Sequence, residues 1–187
     1  MSRWTTATTP DAGLSGWKSP ATRRLRPWPR WWPSGYGTPV ADFETTLLAG
    51  FAQLLADAGI GQWSDNPDVA YDPNLTGIYL DELPSNNADG IAVTSYPVSD
   101  AGYLSDSVVG IQFMTRRAGH NGDPTRETDG AIFAALHGRT DIDMAGGIHV
   151  VQVLRRSAAN LGQDGGERWA RSSNYYVDVN WPSQHRL

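Results

Sequence analysis

Cysteine is missing from this 187-residue chain. Its absence removes disulfides, thiolate metal sites and cysteine nucleophiles at once. Lysine is nearly missing too: Lys18 is the only one, and arginine supplies the other basic side chains. No run of 18 apolar residues exists, so no helical membrane span is expected. The first 30 residues lack the apolar stretch of a secretory signal, which predicts a chain made and used in a cytoplasm. No G-x-S-x-G elbow accompanies the serines. The segment "GLSGWKS" (13–19) has neither the Gly-Lys step nor the preceding strand of a phosphate loop. "DIDMAG" (141–146) opens like a calcium loop, but Ala145 and Gln152 stand where oxygen ligands belong.

What is present falls into two parts. Residues 1–38 read as an extended arm, with five of the eight tryptophans and the stretch "RPWPRWWPSGYG". Prolines 27, 29 and 33 forbid a helix interior and favour extended backbone. Residues 1–40 hold six basic side chains against Asp11 alone, a net +5, which leaves −10 on the rest of a chain of net charge −5. A basic arm beside an acidic body suggests docking through Arg23, Arg24, Arg26, Trp28, Arg30, Trp31 and Trp32, on its own subunit or on a neighbour. Arginine interleaved with tryptophan also suits stacking on single-stranded nucleic acid.

Residues 39–187 read as one α+β domain. Phe43, Leu47, Phe51, Leu54, Leu55 and Ala58 recur at helical steps, predicting a helix over 39–58 with Thr38-Pro39 at its start and Gly59 at its stop. "TGIYLDEL" (76–83), "GIAVTSYPV" (90–98) and "SVVGIQFMTRR" (107–117) read as strands. A second helix follows over 122–138, capped by Asp123, started by Pro124 and ended by Gly138. "GGIHVVQVL" (146–154) and "SNYYVDVN" (173–180) complete the order α-β-β-β-α-β-β. Two helices against a mainly antiparallel or mixed sheet is the expected packing. His120, Asp123 and Glu127 are the candidates for a metal-dependent enzyme, although a turn and a helix start explain the same residues. His149 reads as a hydrogen-bonded histidine on the sheet surface.

Between the last two strands lies "RRSAANLGQDGGERWARS" (155–172), polar and rich in arginine, which reads as a loop much longer than a hairpin requires. The order "FMTRRAG", "DPTRETDGAIFAALHG", "VVQVLRRSAANLGQDGGERWARSSNYYVDV" resembles the small phage proteins known as tail terminator or minor capsid proteins of the head–tail neck. The resemblance covers roughly residues 40–182, is most specific over 155–179, and omits the arm. It implies a structural virion protein with no reaction catalysed and no cofactor. The implied assembly is a homo-hexameric ring that stops the tail tube and gives the head-side connector a surface to bind. Its partners would be further copies of itself, the tail tube protein and the connector or stopper, with genome DNA passing through an acidic lumen unbound. It would reside in the virion, and in the host cytoplasm during assembly, with no membrane. Under that resemblance Arg155, Arg156, Gln163, Asp164, Glu167, Arg168 and Arg171 suit pairing across a subunit interface, and Trp169, Tyr175 and Tyr176 are aromatic anchors for it. The competing readings are another neck component such as a head–tail stopper, a small metal-dependent enzyme, or a nucleic-acid-binding module.

Overall fold

A computed structural model describes residues 42–66, 68–85, 89–183 and 185–186. The arm, and with it the expected Thr38-Pro39 helix start, lies outside the described residues.

Helix α1 spans Phe43–Asp57. Asp42 caps it, its carboxylate accepting from Thr45 N at 3.3 Å, which satisfies one of the free amides of the first turn. Gly59, at φ 72°, turns the chain out of the helix. Strands β1 (Gly77–Leu80), β2 (Gly90–Asp100) and β3 (Asp106–Ala118) follow, then α2 (Asp123–Leu136). Strand β4 (Thr140–Asp143), a 3-10 turn at Ala145–Gly147, and strands β5 (His149–Gln163) and β6 (Arg168–Asn180) complete the order. The six strands form one sheet in the order β1-β2-β3-β6-β5-β4. Only β1 and β2 run parallel; every other adjacent pair is antiparallel. A mixed sheet with two helices is the α+β class expected.

Alternation along β3 sets the layers. Val109, Ile111, Phe113 and Thr115 are buried, whereas Val108, Gln112 and Met114 stay half-exposed. The buried set joins Leu47, Phe51 and Leu55 of α1, Ile132 and Leu136 of α2, and Tyr175 and Val177 of β6 in one core. Phe113 sits edge-on to Phe51 (6.2 Å) and to Tyr175 (5.4 Å). Each such side chain, fully buried, contributes about 1.5–3 kcal/mol. On the other face Tyr96 lies flat across Gly110, where an added Cβ would come within 2.2 Å of the ring. Only glycine leaves room for that ring.

Three expectations need correction. Asp141 and Asp143, outside every expected strand, belong to the edge strand β4; Ile142 anchors it in the core while both carboxylates face solvent. Gly122 at φ 70°, not Asp123, is the N-cap of α2, and Asp123 instead pairs with Arg126. Most consequentially, 155–172 is not a long loop. β5 and β6 run through it and turn at Asp164–Glu167. The loop reading failed because residues 155–172 put no side chain into the apolar core, so neither face shows apolar alternation.

Candidate functional site

The arginine-rich hairpin is organised by one carboxylate. Asp129 of α2 points at the sheet with its side chain 5% exposed. Its Oδ2 accepts from Arg171 Nε of β6 at 2.8 Å and from Arg155 Nη1 of β5 at 3.4 Å. A buried carboxylate is costly unless paired, and two guanidinium groups supply the pairing. Arg171 also donates to Asn160 Oδ1 at 2.6 Å. Arg155 lies 4.0 Å over the Phe133 ring, a cation–π contact. Phe133 in turn stacks on His137 at 4.5 Å, and His137 Nδ1 accepts from Arg155 N at 3.0 Å. These contacts fasten α2 to both strands of the hairpin. Among the described residues, Asp129 Oδ1 and Tyr175 Oη are buried without a hydrogen-bond partner. Burial, with the Asp129 charge second, pushes the Tyr175 hydroxyl up to about 12.

The hairpin tip carries its own clamp. Asp164 Oδ1 accepts from Gly166 N (2.8 Å) and Arg168 N (3.0 Å), and Oδ2 from Arg168 Nε (2.8 Å). Glu167 takes the left-handed φ of 59° that closes the turn. The Arg168 guanidinium, followed by the backbone donors, holds the Asp164 carboxyl down at about 2.

The expected interface residues therefore separate. Arg155 and Arg171 are engaged by Asp129, and Arg168 by Asp164, all within the chain. Tyr175 is wholly buried, so it belongs to its own subunit's core and presents no surface to a neighbour. Trp169 is half-buried against Gly122. Arg156, Gln163 and Glu167 are exposed, and Arg156 sits 5.2 Å from the centre of the half-exposed Tyr176 ring on the outer face. There Asn174 links Gln112 (3.1 Å) to Ser157 (3.0 Å) in a polar strip across three strands. The arm residues 23–32 lie outside the described residues.

Among the described residues no three His, Asp or Glu side chains group to hold a metal, so His120, Asp123 and Glu127 do not converge. No described helix is long and apolar enough to cross a membrane. His149 is hydrogen-bonded at the surface as expected, its Nδ1 2.8 Å from Asp143 Oδ1. Sequence reasoning missed Asp129. Its signal was present: it shares the buried face of α2 with Thr125, Ile132 and Leu136, and a carboxylate on such a stripe implies a buried partner.

Comparison with solved structures finds a chain of the virion of a native gene transfer agent (GTA) particle. It has 16% sequence identity and a TM-score of 0.48, covering 72% of this chain and 95% of that one. No curated protein matches. The family model described as bacteriophage tail terminator protein matches residues 54–181, from α1 through the end of β6. This chain belongs to the bacteriophage tail terminator family, structural proteins of the phage tail.

Proposed function

We propose that this chain ends the growing tail as a homo-hexameric ring, capping the tail tube and offering its other side to the head-side connector. The family match over 54–181 carries the reading. The hairpin geometry supports it. Asp129 and Asp164 pair with three arginines inside the subunit, which orders the hairpin before assembly, and a preformed surface loses less entropy on docking. Arg156, Gln163, Glu167, Trp169 and Tyr176 are the candidates to meet the neighbouring copy. The net −10 of residues 41–187 suits a lumen that lets DNA slide, because like charge repels phosphate. The work is done by binding alone; no bond is made or broken.

Native mass spectrometry of the full chain, alone and with purified tail tubes, tests this. Six copies, in solution or at one end of each tube, is the expected result. A chain that stays monomeric and ignores tube ends contradicts it.

A further inference from the structure

Charge divides this chain by position. Eleven Asp and Glu side chains, and no Lys, Arg or His, lie between Arg30 and Arg116. The fold gathers much of that stretch at one side, where α1 packs on β1 and β2 and β1 is the edge of the sheet. From Arg116 onward nine arginines stand against eight carboxylates.

Beside β1 lies an open groove of about 610 Å³, walled by Trp63, Val69, Tyr71, Tyr79, Leu80 and Pro84. Its shape is fixed within the subunit. The Tyr71 hydroxyl donates to Ile78 O at 3.0 Å and accepts from Ser64 N at 3.1 Å, and the Tyr71 and Tyr79 rings meet at 5.3 Å. Arg116 of β3 reaches the wall at Pro84 O, 2.7 Å away. Asp65 and Glu82 also line the groove, both exposed and in no ion pair among the described residues. Aromatic faces beside carboxylates suit a guanidinium, which stacks flat on a ring while pairing through its edge.

The chain carries two exposed arginines that fit. Arg117, Arg126, Arg155, Arg168, Arg171 and Arg186 each have a carboxylate partner, whereas Arg139 and Arg156 enter no ion pair among the described residues. Both sit along β5: Arg139 O accepts from Val153 N at 2.9 Å, three residues before Arg156. β5 is four strand intervals from β1 in the sheet, roughly 19 Å. Neither guanidinium spans that distance to the groove of its own subunit. A second copy placed head to tail brings the arginine edge against the acidic one. Closed rings are made by contacts of this kind, in which two different surfaces of the same chain meet and every copy uses both.

We propose that the β5 edge of one copy, through Arg139 and Arg156, docks in the aromatic and acidic groove beside β1 of the next copy. The inference rests on the ring proposed above and names the two surfaces that meet in it. Charge reversal in the full chain tests it, read by sedimentation. Asp65→Arg with Glu82→Arg should weaken self-association about tenfold or more, and Arg139→Glu with Arg156→Glu should do the same. All four substitutions in one chain put opposite charges back across the contact and should return association to within about threefold of wild type. The Val109–Phe113 amides should be equally protected from hydrogen exchange in every variant, showing an intact core. Weakening by the groove pair alone means that another cationic surface, the arm or a tube protein, fills the groove, and overturns the β5 edge as its occupant. Weakening by both pairs without rescue, or by neither, overturns this contact while leaving the ring. A wild-type chain that is monomeric at every concentration and ignores tube ends overturns both.

Discussion

Arg171 Nε donates to Asp129 Oδ2 at 2.8 Å across the α2–β6 boundary, joining a helix to a strand 42 residues further along the chain. Arg155 adds a second strand to the same oxygen, so one buried carboxylate fixes the whole hairpin to the helix layer. Asp129→Asn keeps the shape and removes the charge, stranding two partly buried guanidinium groups. The expected loss is about 3 kcal/mol in urea unfolding at neutral pH. A change below about 0.5 kcal/mol would show that the hairpin does not depend on this node.

The Asp164 clamp predicts an acid-side effect. Its carboxyl is held at about 2 in the folded chain against 3.8 for the free group. The stabilisation is complete above pH 3.8 and is lost as pH falls toward 2, because the unfolded chain takes up that proton first. Asp164→Asn should flatten the wild-type stability curve in that window. Parallel curves for the two proteins would place the acid sensitivity elsewhere.

Tyr175 predicts the alkaline counterpart. Its hydroxyl is pushed up to about 12 from 10. Between those values the unfolded chain has released a proton that the folded one keeps, so stability falls as pH rises from 10 to 12. Burial raises the Tyr71 and Tyr96 hydroxyls as well, but Tyr175 is raised furthest, so phenolate absorbance should show Tyr175→Phe removing the last tyrosine to titrate. A Tyr175→Phe protein with the same late-titrating group would contradict the assignment.

Much of the core was legible in the sequence because its strands alternate cleanly: Val109, Ile111 and Phe113 sit inside as expected. The α1 periodicity and Gly59 and Gly138 as stops were legible for the same reason, since local geometry dictates them. The hairpin was not. Residues 155–172 fold by pairing with β3 and β6 and by ion pairs to Asp129, and neither long-range cause leaves a periodic trace in their own sequence. The same fact bears on the expected site. Charge pattern marked Arg155, Arg168 and Arg171 as seeking partners, but not that the partners were in the same subunit. Tyr175 and Tyr176 are neighbours of opposite fate because strand period alone decides which faces the core.

Arg156 is exposed and lies over the Tyr176 ring. Arg156→Ala should change monomer unfolding by no more than about 0.5 kcal/mol. It should weaken assembly by about 1 kcal/mol or more if this face meets a neighbour. Thermal melts and sedimentation of the same samples separate the two. Unchanged assembly would remove Arg156 from the interface.

The proposed role of this protein is to stop the tail. Its most direct test is the length distribution of tails made by a phage in which this gene is inactivated, measured by electron microscopy. The account predicts tails of irregular length, many longer than wild type, that fail to join heads. Tails of uniform wild-type length would contradict it.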